Sequence, residues 1–281
     1  MAIKIVADST CDISKIEQQE LGIDVVPLHV IFDAESYLDG ETITATEFYK
    51  KQEQAKILPK TSQPNPSQFQ PVFQKAIDNG DEVICIVISS KLSGTYSSAL
   101  LARKSCTKPE NIHIVDSVTA TVTMGLLVRE AVKKKNEGAT VEEVLLYLQN
   151  IIPRIQFVAF FGNLKYLKMG GRISASTAIL GSMLSITPII SVAEGKFVQI
   201  GKVRGFKQIT AFTKKFIEEH PIDDNYPVMF AHSNCAEKLE QFKNACKAIH
   251  PIVKSHVDML GATVTCQCGP GCFGIGYVSL T

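Results

Sequence analysis

Hydroxyl side chains that could bind an anion occur in the segment Ser93-Gly94-Thr95. The segment follows an apolar run and precedes a helical pattern, so its hydroxyls would lie beside the positive end of a helix. Such a position suits a carboxylate or a phosphate, and Gly94 leaves room for the ligand to approach the backbone. Capping of free helix amides is the simpler interpretation, and this segment alone does not decide between the two.

A second group of polar side chains lies in residues 60–66. Two prolines in this stretch predict a stiff turn, which would present the hydroxyls of Thr61 and Ser62 rigidly. The alternative is a surface loop whose only task is to start a helix over residues 67–76.

Two of the five arginines adjoin glycines and could complete an anion site. Arg172 follows Gly170-Gly171, and Arg204 precedes Gly205. Backbone amides without flanking side chains, combined with a guanidinium group, form a binding site for anions. Both arginines could equally be solvated surface residues.

Signatures of familiar catalytic sites are scarce in the sequence. It contains no Gly-x-Ser-x-Gly nucleophile elbow and no phosphate-binding Walker loop. The six histidines lack metal-ligand spacing. His232, at the end of a predicted strand, is interpreted either as a general base or as a satisfied histidine of the core or sheet edge.

The eight cysteines are predicted to remain thiols, because we expect a reducing compartment. Cys266, Cys268 and Cys272 lie close together in the sequence. Residues 262–266 are predicted to be extended, so the first two could face the same way and share a metal ion. No Cys-x-x-Cys pair or histidine accompanies them. Structural thiols are therefore the favoured interpretation, and no metal site is predicted.

Three apolar segments are predicted to be strands that end in polar loops and lead into helices: residues 3–7, 83–88 and 112–115. The loops are Asp8-Ser9-Thr10, residues 89–95 and Asp116-Ser117. Strands that alternate with helices form βαβ units, so we expect one parallel sheet. Right-handed crossovers would bring all three loops to its carboxyl edge.

The second half of the sequence mixes a hairpin with helices. Strands are predicted at 156–161, 187–192, 197–203, 228–232 and 273–279, a further extended segment at 254–259, and helices at 141–150, 172–184, 205–220 and 237–249. The small side chains of helix 172–184 would let a sheet or a slender alkyl chain approach its backbone. The predicted fold class is α/β, with a parallel domain over residues 1–155 and a mixed α/β domain over 156–281.

Composition argues against several classes of protein. The 281 residues include 29 Lys and Arg against 28 Asp and Glu, and this near balance disfavours a dedicated nucleic-acid-binding protein. A hydrophobic content of 45% predicts a packed core rather than disorder. Without a long apolar run or a secretory signal, the protein is expected to be cytoplasmic, with at most transient contact to a membrane surface.

Nine short segments occur in an order that is typical of one family. They are Asp8-Ser9-Thr10, Val26-Pro27-Leu28, Tyr37-Leu38-Asp39-Gly40, Lys60-Thr61-Ser62-Gln63-Pro64, Leu92-Ser93-Gly94-Thr95-Tyr96, Asp116-Ser117, Leu164-Lys165-Tyr166-Leu167-Lys168 with Gly170-Gly171-Arg172, Arg204-Gly205, and Gly269-Pro270-Gly271. On these segments the whole chain resembles the DegV family of bacterial fatty-acid-binding proteins, which includes the acyl-binding subunit of fatty acid kinase.

The resemblance implies a two-domain protein that buries one long-chain fatty acid between its domains and uses no other cofactor. It implies that Thr61, Ser62 and Ser93, with the adjacent Gly94 and Thr95, bind the carboxylate. In the family's pattern, a separate ATP-dependent kinase converts the bound acid to an acyl phosphate for phospholipid synthesis. The chain itself is therefore expected to be a carrier and not an enzyme.

Three further positions follow from the resemblance. Arg172 and Arg204 match family arginines near the pocket mouth or the kinase contact. Gln267 stands where family members commonly have a histidine that helps to fix the carboxylate. An amide can donate a hydrogen bond there, but it cannot become cationic.

Two other functions remain open on the sequence alone. One is a stand-alone hydrolase or phosphotransferase that uses Ser93 or an aspartate. The other is an interaction module with a vestigial pocket, which is suggested by Gln267. Turnover of acyl esters or consumption of ATP by the isolated chain would support the first, and robust acyl binding would exclude the second.

Overall fold

The computed structural model describes residues 2–55, 57–173 and 186–281. Within these ranges the strands are β1 (Ile3–Asp8), β2 (Asp24–Val26), β3 (His29–Phe32), β4 (Glu35–Leu38), β5 (Lys60–Ser62), β6 (Glu82–Val87), β7 (Ile112–Asp116), β8 (Ile155–Phe160), β9 (Ile186–Ala193), β10 (Lys196–Arg204), β11 (Val228–His232), β12 (Ser255–Met259) and β13 (Phe273–Val278). The helices are α1 (Lys15–Leu21), α2 (Ala45–Gln54), α3 (Pro66–Asp78), α4 (Thr95–Lys104), α5 (Thr121–Asn136), α6 (Val141–Ile151), α7 (Lys165–Met169), α8 (Gly205–Glu219), α9 (Ala236–Ile249) and α10 (Ala262–Cys268). No described helix combines the length and the apolar character that crossing a bilayer requires.

Four parallel strands form the first sheet, in the order β2-β1-β6-β7, which confirms the predicted parallel sheet. β6 lies in the interior of this sheet and is buried on both faces, which explains its uninterrupted apolar sequence. The polar loops meet at the carboxyl edge, as predicted. The backbone N–H of Ile88 donates to Asp8 Oδ2 over 2.7 Å, and that of Ser90 donates to Asp116 Oδ1 over 3.1 Å.

The second large sheet has six strands, in the order β10-β9-β8-β13-β11-β12. Adjacent strands of this sheet are antiparallel, except for β11 and β12, which run parallel. The predicted hairpin is confirmed, because β9 and β10 pair around a turn at Glu194-Gly195. Both turn residues have left-handed backbones, with φ of 50° and 77°, as a two-residue hairpin turn requires.

Helix α5 lies between the two large sheets. Its residues from Thr121 to Val132 are all buried, and it packs against β1 and β6 on one side and β8, β11 and β13 on the other. A helix that is covered on every side has no polar stripe. One hydrophobic core consequently includes Ile5, Leu126 and Phe157. This core contains residues from both sides of position 155. The division into two domains at that position therefore stays a prediction.

A small third sheet, which the sequence does not predict, has the order β4-β3-β5. β3 is antiparallel to both neighbours. Residues 60–62 form β5, so the prediction of a turn over 60–66 is wrong for its first three residues. These residues show no apolar alternation, and their extended backbone depends on pairing with β3, which lies about 30 residues earlier.

Helix α10 corrects a second prediction, because residues 262–266 are helical and not extended. Their β-branched content favours a strand, but tertiary contacts decide the outcome. The backbone N–H of Gly261 donates to Asp12 Oδ1, and that of Ala262 donates to Asp39 Oδ1, each over 2.9 Å. These distant carboxylates satisfy amides that a helix start leaves free.

The helical conformation also removes the argument for a metal between Cys266 and Cys268. Residues two apart on an α-helix point to opposite sides. All eight cysteines lie within the described ranges and are free thiols.

The predicted apolar helix 172–184 lies outside the described residues from position 174 onwards.

Candidate functional site

Two cavities meet between the parallel sheet and the six-stranded sheet. We call one the polar compartment and the other the apolar compartment, and both are partly open to solvent. The polar compartment is lined by Thr10, Leu28, Thr61, Ile88, Leu92, Ser93, Ala120, Thr121, Arg172, Phe197, Thr263, Val264 and Gln267. Four of these also line the apolar compartment, and we call them the neck: Thr121, Phe197, Val264 and Gln267.

The carboxyl edge of the parallel sheet forms the base of the polar compartment. Asp8, at the end of β1, accepts hydrogen bonds from the backbone N–H groups of Thr10 and Ile88, over 2.9 and 2.7 Å. Complete burial raises the pKa of Asp8 to about 6. The carboxyl group of Asp8 does not line the cavity. It holds in place the loops that contain Thr10 and Ile88, and both of these residues line it.

Ser93 lies in the loop before α4 and lines the polar compartment. Its Oγ is 2.9 Å from Oγ1 of Thr95, which is fully buried and outside the lining. Gly94 has a different role from the predicted one. A Cβ at this position would lie 1.9 Å from Oε1 of Gln63, so the glycine makes room for a glutamine side chain.

Thr61 and Ser62 alternate along β5, so they face opposite ways. Thr61 lines the polar compartment, whereas Ser62 is exposed and its Oγ donates to the carbonyl of Gln63 over 3.4 Å. Only one of the two hydroxyls predicted in this segment therefore reaches the cavity wall.

Gln267 projects from the last turn of α10 into the neck. Its Nε2 donates to Thr61 Oγ1 over 3.0 Å, and its Oε1 is buried without a hydrogen-bond partner among the described residues. The amide lies against Gly170, where a Cβ would come within 1.8 Å of Oε1. Rotation of the amide by half a turn would let the Thr61 hydroxyl donate to Oε1 and would place the NH2 group beside Gly170.

The two predicted arginines occupy different places. Arg172 lines the polar compartment, and its Nε donates to the carbonyl of Leu92 over 3.2 Å, while Nη1 donates to that of Gly170. Among the described lining residues it is the one cation. Arg204 is exposed at the end of β10 and outside both linings, and its backbone N–H donates to Gln208.

The structure thus brings Thr61, Ser93, Arg172 and Gln267 to one cavity, with Ser62, Gly94, Thr95 and Arg204 outside the wall. Thr121 is a wall residue that sequence reasoning missed. It is the first residue of α5 and has a left-handed backbone with φ of 58°, unusual for a β-branched residue. Its local sequence gives no signal for this conformation.

The apolar compartment is walled by side chains from the six-stranded sheet and its surroundings. Those outside the neck are Val122, Phe157, Ala159, Phe161, Leu167, Ala231, Leu260, Cys268, Cys272, Phe273 and Gly274. None of them carries a charge. A molecule that fills both compartments would need a polar end and a long apolar body.

Residues 2–280 match a family model described as "Uncharacterised protein, DegV family". The chain belongs to the DegV family. It is 35% identical over 276 residues to a DegV domain-containing protein of Caldanaerobacter subterraneus, a match that covers 98% of each chain. It is 33% identical over 282 residues to a fatty acid-binding protein of Thermotoga maritima, covering 98% of this chain and 97% of that one.

Solved structures of the DegV family have the same fold. A DegV family protein from Thermus thermophilus, described for its fatty acid binding, superposes with a TM-score of 0.90 at 32% identity and full coverage of both chains. A stearic acid-binding protein from Eubacterium ventriosum superposes with a TM-score of 0.89 at 29% identity, covering 99% of this chain and 98% of that one. Binding of fatty acids is thus described for the relative from Thermotoga maritima and for both of these solved proteins.

Proposed function

We propose that this DegV protein binds one long-chain fatty acid, with its carboxylate in the polar compartment and its alkyl chain in the apolar compartment. The observation that carries the proposal is the neck, where the two compartments share four wall residues. A ligand with one charged end and a long apolar body fits this arrangement.

The polar compartment supplies donors of several kinds for the carboxylate. Thr61 and Ser93 offer hydroxyls, Gln267 offers an amide, and Arg172 offers a guanidinium group. A carboxylate only accepts hydrogen bonds, so each of these groups can serve it. Hydrogen bonds to an ionised group contribute about 1.5–3 kcal/mol each, which favours acids over uncharged lipids.

The apolar compartment supplies a large part of the affinity. Burial of ~14 methylene groups at about 0.8 kcal/mol each gives roughly 11 kcal/mol before the costs of association. The polar contacts therefore orient the acid and select for its charge, while the alkyl chain holds it.

Presentation of the bound acid to a separate ATP-dependent kinase completes the proposal. Its support is the family resemblance, together with the lack of a Walker loop in the sequence. The kinase would form the acyl phosphate for phospholipid synthesis, and this chain would act as a cytoplasmic carrier that touches membranes only transiently. Arg204, exposed and outside the cavity wall, is available for that protein contact.

Catalysis by this chain through Ser93 finds no support in the geometry of the hydroxyl. The Ser93 Oγ pairs with the hydroxyl of Thr95, which is not a general base. A nucleophilic serine needs a base within hydrogen-bonding reach.

Native mass spectrometry of the purified full chain tests the binding proposal. We expect a mass increase equal to one long-chain acid, and organic extraction of the same sample should release that acid. After removal of the lipid, added long-chain acid should restore the mass, while its methyl ester should bind at least about tenfold less tightly. Protein that is empty and also refuses added acid would contradict the proposal. Transfer of phosphate from ATP to the bound acid by a fatty acid kinase tests the second step separately.

A further inference from the structure

We infer that a row of small residues across the six-stranded sheet, Ala159, Gly274 and Ala231, sets the length of the acyl chain that this protein accepts. The inference rests on the proposed function and adds the residues that determine its selectivity for chain length.

The strand register places these residues side by side. Ala159 on β8 pairs with Gly274 on β13, and Gly274 pairs with Ala231 on β11. Directly paired residues point to the same face of a sheet, and neighbouring strands are about 4.8 Å apart. The row therefore forms a shallow trough that runs roughly 10 Å across the strands. All three residues line the apolar compartment.

Larger side chains border the trough. On the same face of β8, two residues from Ala159 in either direction, Phe157 and Phe161 also line the compartment. The central position admits no side chain, because a Cβ at Gly274 would lie 2.5 Å from the carbonyl oxygen of Val158. The trough is therefore narrow, and backbone atoms form its floor at Gly274.

The sheet order gives the trough a direction. The neck residue Phe197 lies on β10 and its ring is 6.3 Å from that of Phe157, so the Phe197 side of the neck adjoins the β8 end of the row. The neck also holds the amide of Gln267, whose NH2 group can donate to a carboxylate. An alkyl chain from the neck crosses β8 and β13 and reaches β11. There Ala231 and Leu260 would meet its methyl end.

Two substitutions at this far end should shift the preferred length in opposite directions. Ala231→Val fills the end of the trough, so affinity for the longest saturated acid that the parent binds should fall about tenfold, with shorter acids little affected. Leu260→Ala deepens the same end and should move the preference to longer acids. Competition among saturated acids of increasing length on delipidated full-length protein, read by native mass spectrometry, gives each profile.

Ala131→Val is the matched control, since Ala131 is fully buried on α5 and lies outside the apolar compartment wall. It should lower stability without changing the length profile. If Ala231→Val and Leu260→Ala bind acids with the parent's profile, the inference is wrong and the proposed function stands. If the parent binds no acid of any length, both are wrong.

Discussion

A carboxylate in the polar compartment would meet two hydroxyls, one amide and one guanidinium group, and only the last carries a charge. A guanidinium group keeps its charge at ordinary pH, and an amide does not titrate. The charge that the protein presents to the acid therefore stays constant between about pH 5 and pH 8, where a histidine at position 267 would gain or lose its proton.

Removal of both hydroxyls should reduce the selectivity for acids. In the double variant Thr61→Val with Ser93→Ala, the preference for a long-chain acid over its methyl ester should fall about tenfold or more, because two hydrogen bonds to the charged group are lost. Titration calorimetry with both ligands measures the ratio. Ser62→Ala, at the exposed neighbour of Thr61, is the control and should leave it unchanged. An unaltered ratio in the double variant would remove these hydroxyls from the site.

Asp8 should make stability depend on pH. Burial raises its pKa from the usual 3.8 to about 6, so the folded protein holds this proton more tightly than the unfolded chain does. The resulting stabilisation is complete below about pH 4 and is lost as the pH rises through about 6, to a total of roughly 3 kcal/mol. Asparagine does not titrate, so the stability advantage of the parent over Asp8→Asn should shrink between about pH 4.5 and pH 7.5. Urea unfolding at the two pH values measures it, and a constant difference would contradict the assignment.

At the scale of elements, α10 depends on the space that Gly170 leaves after α7. Gly170→Ala places a methyl group where Oε1 of Gln267 lies, so the amide should leave Thr61 and acid selectivity should fall several-fold. Titration with acid and methyl ester measures this loss. Gly162→Ala is a suitable control, because the Cβ there would have 3.5 Å to its nearest neighbour.

A second background makes this test specific. In Gln267→Ala protein the clash is gone, and Gly170→Ala should then change selectivity little. Equal losses in the two backgrounds would mean that Gly170 acts by some route other than the glutamine.

Elements whose own sequence determines their conformation were predictable, and elements held by distant partners were not. β6 is long and uniformly apolar, and the β9–β10 turn carries its own glycine, so both follow from local pattern. β5 has three residues and depends on β3, and α10 depends on Asp12 and Asp39, more than 200 residues away. No local window of the sequence contains those contacts.

The same division applies to the candidate site. Thr61, Ser93 and Arg172 come from segments whose composition already points to anion binding, and they line one cavity. Ser62 is turned away by strand alternation, which became visible only with β5. The left-handed Thr121 and the trough on the six-stranded sheet arise from packing and register, which the sequence pattern does not specify.

At the scale of the whole molecule, Arg129 joins three distant parts of the chain. From α5 it donates two hydrogen bonds to Glu17 of α1, over 2.6 and 2.7 Å, and contacts Asp258 of β12 at 3.2 Å. The arginine side chain is only 6% exposed, so the pairs are shielded from solvent. These ion pairs link β12, the edge strand of the six-stranded sheet, to α1 and α5 in the N-terminal half.

Arg129→Met should destabilise the protein by about 3–5 kcal/mol, because it leaves two carboxylates without their cation. The loss should be smaller at about pH 5 than at about pH 8, since burial already raises the pKa of Asp258 to about 6 and protonation removes the unpaired charge. Adding Glu17→Gln and Asp258→Asn should recover much of the stability. Urea unfolding measures all three proteins, and a failure of the triple variant to recover would mean that packing, not charge, is what Arg129 provides.

The orientation of α10 has a consequence for how the cargo is held. The amides at its N-terminal end already donate to Asp12 and Asp39, and its negative end lies near Gln267, a wall residue of the polar compartment. This helix therefore offers the carboxylate a mild repulsion in place of the attraction that many anion sites exploit. The carboxylate would therefore depend on the side chains of the polar compartment, and on the guanidinium group of Arg172 above all, to offset this repulsion.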